Sequence, residues 1–119
     1  MSSSKILTGN AITEGTDSKG WFLGHFKEAG LTQSEDLEVK WSTHPKGESH
    51  IVTREPDERI TTLAILIKGK SRITFEGHEA LTLEHEADYV IYTHNLSHES
   101  LMLEDTTFIT VRWPSFATK

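Results

Sequence analysis

Apolar and polar residues alternate along this chain in short runs that polar turns keep interrupting. The longest apolar run, residues 60–75 (ITTLAILIKGKSRITF), is rich in β-branched side chains and breaks once, at Gly69. Branched side chains pack well on a pleated surface and glycine frees the backbone for a tight turn, so this stretch predicts two buried strands meeting at a hairpin. Residues 37–43 (LEVKWST) alternate cleanly, with Leu37, Val39 and Trp41 on one face and Glu38, Lys40 and Ser42 on the other. With a side-chain period of two, that predicts a half-buried strand whose Trp41 is either a core aromatic or one wall of a ligand cavity. Residues 21–26 (WFLGHF), 50–53, 79–83, 89–92, 100–103 and 106–113 read as further short strands, each followed by a polar break. Strands at this even spacing, with no helical period of useful length, predict an all-β antiparallel sandwich or barrel.

Length fits that picture: 119 residues are enough for one domain with its own hydrophobic core. Residues 1–20, which open on serines, are expected to form a flexible N-terminal segment, with a single domain over 21–119. The absence of cysteine excludes disulfide scaffolds, thiolate zinc sites and thiol catalysis. A net charge of -6, with the acids spread along the chain and no basic stripe, argues against nucleic acid or an anionic membrane as a partner. Small molecules or protein are the expected partners. No window approaches the roughly 20 apolar residues of a membrane span, and the N-terminus lacks the apolar core of a signal peptide, so a cytoplasmic location is expected.

Residues 87–98 (ADYVIYTHNLSH) resemble the second cupin motif, which runs Gly, five residues, Pro-x-Gly, two residues, His. Ala87 stands at the first glycine, Thr93 at the proline, Asn95 at the second glycine and His98 at the histidine. Asparagine accepts the left-handed backbone that glycine would otherwise supply. The first cupin motif runs Gly, five residues, His-x-His, three or four residues, Glu, six residues, Gly. Gly69 matches its last glycine, Thr62 stands at the glutamate, and the His-x-His pair falls on Glu55 and Asp57 or on Pro56 and Glu58. Of the usual ligands only His98 is retained. The segments WFLGHF at 21–26, EVKW at 38–41 and TVRWPS at 110–115 are also similar to those of a subgroup of small stand-alone cupins.

The resemblance implies a jelly-roll barrel of the RmlC-like type, with the site in its lumen. In the family's register Thr62, Ala64 and Leu66 point inward and Leu63, Ile65 and Ile67 outward. An apolar outer face needs covering by the N-terminal segment or by a second subunit, and a homodimer is expected. In residues 106–113, Phe108, Thr110 and Arg112 share one face, where Arg112 is either exposed or holds a carboxylate inside the barrel. The candidate ligand-binding residues are Trp41, His50, Thr62, Tyr92, His98 and Arg112. For one divalent transition metal ion, the candidate ligands are His98, His44, His50 and Glu58. Glu55, Asp57 and Glu58 with His98 are an alternative, metal-free acid and base set. His25, His78, His85 and His94 read as structural or solvated.

Two functions follow as expectations. One is an accessory or binding protein that holds a small organic ligand, or a rearranged metal site, in its barrel. The other is a metal-dependent oxygenase, isomerase or lyase acting on a small polar substrate.

Overall fold

The computed structural model describes residues 4–117. In chain order its strands are β1 (Trp21–Leu23), β2 (Glu38–His44), β3 (Ser49–Val52), β4 (Thr61–Lys68), β5 (Ser71–Phe75), β6 (Leu81–Leu83), β7 (Tyr89–Thr93), β8 (His98–Met102) and β9 (Thr106–Trp113). They make two sheets, one of five strands in the order β1-β2-β9-β4-β7 and one of four in the order β3-β8-β5-β6. Every pairing between these strands is antiparallel, which gives the antiparallel sandwich that the spacing of apolar runs predicts, in the jelly-roll form that the cupin resemblance implies.

The apolar run around Gly69 departs from expectation in one respect. It forms two strands, but they do not pair with each other: β4 joins β7 and β9, whereas β5 joins β6 and β8 in the opposite sheet. The chain crosses between sheets at Gly69, whose φ of 102° lies in the left-handed region. A Cβ at that position would strike the Asp105 carbonyl and Thr106. Both strands are interior to their sheets, with a neighbour on each side, so each is apolar enough to be buried without being the other's partner.

Leu66, Ile73, Phe75, Leu83, Met102 and Phe108 form the buried cluster between the sheets. Leu66 is fully enclosed and faces Phe108 in register. Burying side chains of this size stabilises the fold by roughly 1.5–3 kcal/mol each.

Part of the N-terminal segment expected to be flexible has defined structure. A helical turn, α1 (Ala11–Glu14), packs against β1 and β2. It is capped by Asn10, whose Oδ1 accepts the Thr13 N–H at 3.0 Å, while Glu14 accepts the Asn10 N–H at 2.8 Å. A 3-10 turn (Thr16–Ser18) follows, and the Gly20 carbonyl then accepts the Trp41 N–H at 3.1 Å. Residues 1–3 of that segment, and 118–119 of the domain, lie outside the described residues. Among the described residues no helix is long and apolar enough to cross a membrane.

Candidate functional site

The inward side chains follow from strand register. Tyr92 on β7 faces Thr62 on β4, Thr62 faces Arg112 on β9, and Arg112 faces Glu38 on β2. One step along, Val90, Ala64, Thr110 and Lys40 form the next row. On the opposite sheet Val52, His98 and Phe75 form one row, with His50, Ser100 and Ile73 beside it. Between these faces lies a cavity of about 190 Å³. Lys40, Arg54, Tyr92, His98 and Arg112 line it, as do His44 and His50, the hydroxyls of Ser42, Ser100 and Thr110, and apolar walls at Ala64, Phe75 and Val90.

Strand β2 corrects the expectation drawn from its alternation. Its charged and polar row, Glu38, Lys40, Ser42 and His44, is the inner one, and Val39 and Trp41 lie on the outer face. Trp41 is therefore not a cavity wall. It sits beside Ile109 on the outside of the sheet, with its indole Nε1 buried and without a hydrogen-bond partner. Alternation reports two faces without saying which is inner, and a lined barrel places polar groups inside.

Arg112 is enclosed, which removes the exposed option and leaves the carboxylate one: its Nη1 lies 3.2 Å from Glu38 Oε2. The other Glu38 oxygen accepts the Ser115 hydroxyl at 2.8 Å, and Ser115 Oγ in turn accepts the His25 backbone N–H at 2.9 Å. His25 Nδ1 lies 2.7 Å from the same hydroxyl. The aromatic segment around Trp21 is thus tied to the end of β9. The Trp21 ring covers both cations of that corner, with its centroid 4.8 Å from the Arg112 guanidinium carbon and 5.3 Å from Lys40 Nζ.

Burial holds the Lys40 ammonium below its ordinary range, and Arg112 and Arg54 push it the same way. Burial likewise lowers the His98 imidazole, with Arg54, Lys40 and Arg112 adding to it, and raises the Tyr92 phenol. His98 Nδ1 lies 3.2 Å from the Leu96 carbonyl, and its ring is wedged against Phe75 and Tyr92, with centroids 5.3 and 5.6 Å away.

Solved structures share this architecture. KdgF from a Halomonas species is similar over 70% of this chain and 73% of its own, at 23% identity and a TM-score of 0.58. An RmlC-like cupin protein from Desulfovibrio desulfuricans is similar over 72% and 79%, at 13% identity and a TM-score of 0.61. A cupin superfamily protein from Desulfitobacterium hafniense is similar over 70% and 72%, at 18% identity and a TM-score of 0.57. The chain has the cupin fold. No family model and no curated protein matches the sequence.

Within the cupin fold, the backbone of the second motif survives its substitutions. Ala87 has φ 73° and Asn95 φ 53°, so both glycine positions remain left-handed, and His98 points into the lumen. The residues around His98 do not fit a cupin metal. Thr62, at the glutamate position, is sealed between Tyr92 and Arg112 at 1% exposure and does not reach the cavity. Glu58 is exposed in the turn before β4. Glu55 and Asp57 line a separate cleft, where Asp57 is engaged by Arg59, so the acid and base set with His98 is not assembled either. Three cations face His98, and that field disfavours a metal dication.

A different trio converges at the link between β2 and β3. One oxygen of Glu48 is hydrogen-bonded to His44 Nδ1 and lies 2.9 Å from His50 Nε2. The two imidazole centroids are 5.3 Å apart. Hydrogen bonding from His50, then His44, holds the Glu48 carboxyl below its usual range. Two imidazoles and a carboxylate oxygen within 4.8 Å of one another suit a divalent transition metal by donor type and spacing. Of the four expected metal ligands the structure groups His44 and His50, adds Glu48, and leaves out His98 and Glu58. The pattern H-x-x-x-E-x-H was legible in the sequence. What hid it is that β2 and β3 belong to different sheets, so strand parity alone does not show that the intervening turn brings the three together.

Proposed function

We propose that this chain is a small-molecule-binding protein of the cupin fold, whose site is the cavity between the sheets. The observation that carries this is the set of polar side chains, Lys40, Ser42, Arg54, Ser100, Thr110 and Arg112, aimed into that cavity. Ordering such groups inside a protein costs stability unless a partner meets them. Mass spectrometry of the untagged protein, native and then denatured, tests the reading: an organic molecule released on denaturation is expected. Its absence, together with no thermal shift across a metabolite panel, overturns it.

The second reading, a metal-dependent enzyme, is favoured by the trio of His44, Glu48 and His50. Bound there, a divalent metal would supply Lewis acidity at the cavity edge, since both histidines also line the cavity. Metal analysis of untagged protein decides: stoichiometric metal lost in His50→Ala but retained in His98→Ala supports this reading, and metal lost only in His98→Ala refutes the trio.

A second copy of this chain is the proposed protein partner. On the outer face of the five-stranded sheet, Tyr89, Ile65, Ile109 and Trp41 form one cross-strand row and Ile91, Leu63, Val111 and Val39 the next. Neither row carries a charge, so apposing this face with itself brings no like charges together despite the chain's net charge of -6. Tyr89 and Ile91 are 64% and 52% exposed, and α1 packs at the other end of the sheet, against β1 and β2.

A further inference from the structure

The cavity has the opposite charge to the chain around it. The protein carries 18 acidic against 12 basic residues, yet among the described residues no aspartate or glutamate lines the cavity, whereas Lys40, Arg54 and Arg112 do. Glu38 stands behind Arg112, with one oxygen taken by that guanidinium and the other by Ser115. Among the described residues neither Lys40 nor Arg54 lies within ion-pair distance of a carboxylate, and the buried Arg112 Nε has no hydrogen-bond partner. Each of these cations depresses the His98 imidazole, and Arg54 and Arg112 depress Lys40 as well. Cations drawn together away from bulk water repel one another and lose solvation, a cost that persists until an anion sits among them.

We infer that the ligand of this cavity is a small organic anion, with its oxyanion held among Lys40, Arg54 and Arg112. This rests on the cavity being the binding site, as proposed above, and names the class of molecule that enters it. The rest of the ligand meets the hydroxyls of Ser42, Ser100 and Thr110 and the rings of Phe75 and Tyr92. A carboxylate and a phosphate ester share the required chemistry, since guanidinium and ammonium groups bind either.

The test is calorimetry and thermal unfolding at fixed ionic strength with malonate, succinate, phosphoglycolate, malonamide and succinamide. Wild type, Arg54→Met and Lys40→Met are compared, with Ala64→Trp as a variant that fills the cavity. Carboxylates or the phosphate ester are expected to bind and raise the melting temperature of wild type, and which arm binds tighter identifies the head group. Arg54→Met is expected to weaken that binding by about tenfold or more, as loss of a charge-assisted hydrogen bond does. It is also expected to raise the melting temperature of the ligand-free protein, because an uncompensated cation is gone. That opposite movement of affinity and stability is not produced by a merely structural arginine.

Amides that bind as well as the acids overturn the anion while the cavity stands, provided Ala64→Trp abolishes their binding. Anion binding that survives both Arg54→Met and Ala64→Trp places the anion elsewhere and overturns the inference. No binding by any anion overturns it too, and the neutral arm then tells whether the cavity reading fails with it.

Discussion

Glu38 and Arg112 face each other across β2 and β9, 3.2 Å apart, with side chains only 7% and 13% exposed. Loss of either partner strands the other, but the two losses are unequal. Without the Glu38 charge, Arg112 joins Lys40 and Arg54 with no counter-charge, and Ser115 is left with at best a neutral acceptor. Without Arg112, Glu38 keeps the Ser115 hydroxyl and the cavity sheds a cation. Glu38→Gln is therefore expected to cost on the order of 3 kcal/mol, the low end for breaking a buried pair, and Arg112→Met clearly less. Urea unfolding of both singles and the double measures this, and a double mutant as unstable as the sum of the singles would show that the pair is not coupled.

Ala87 holds a left-handed backbone at the first position of the Gly-to-His motif, with φ 73°. A Cβ in that conformation costs roughly 1–2 kcal/mol, a cost that glycine avoids. Its N–H donates to the Leu66 carbonyl at 2.8 Å, so the conformation is fixed by β4 and does not relax. Ala87→Gly should stabilise the fold by about 1 kcal/mol, less than the strain removed because glycine gains entropy in the unfolded chain. An unchanged or lowered urea midpoint would show that the strain is not there to relieve.

These two sites mark where sequence reading succeeds and where it stops. The motif spacing from Ala87 to His98 carried the fold, and Asn95 takes the conformation expected of it, because backbone geometry is dictated by local residues. The inner face of β2 is not legible in its alternation, because Leu37, Val39 and Trp41 look like a core row and only the partner sheet decides which side is enclosed. Thr62 points inward as register requires, yet Tyr92 and Arg112 close over it, a packing result that parity cannot express. Arg54 lies outside any alternating strand, and its importance appears only when β2, β8 and β9 bring Lys40, His98 and Arg112 to the same chamber.

His98 gives the protein a defined response to pH. Its folded-state pKa lies below the ordinary value of about 6.5, chiefly through burial, so below that value the unfolded chain takes up a proton that the folded protein resists. Stability is fully present above about pH 6.5 and is lost as pH falls through the folded pKa. His98→Asn, whose amide nitrogen takes the place of Nδ1 and can still donate to the Leu96 carbonyl, should lose less stability than wild type between pH 7.5 and pH 5.5. Parallel urea curves at the two pH values check this, and equal losses in both proteins would assign the acid sensitivity to other groups.

The uncharged outer face sets the last expectation. Ile91 is half exposed at the middle of β7, in register with Leu63 and, through it, Val111. In a symmetric dimer each residue near the two-fold axis meets its own copy or a close neighbour, so a charge placed there is buried twice and repels itself. Ile91→Lys should therefore yield a monomer with an intact fold, because in the monomer this side chain already faces water. Light scattering after size exclusion reads the mass, and circular dichroism the fold. A wild type that is monomeric at micromolar concentration removes the second copy as a partner, whereas a wild-type dimer that Ile91→Lys leaves intact moves the interface away from this sheet.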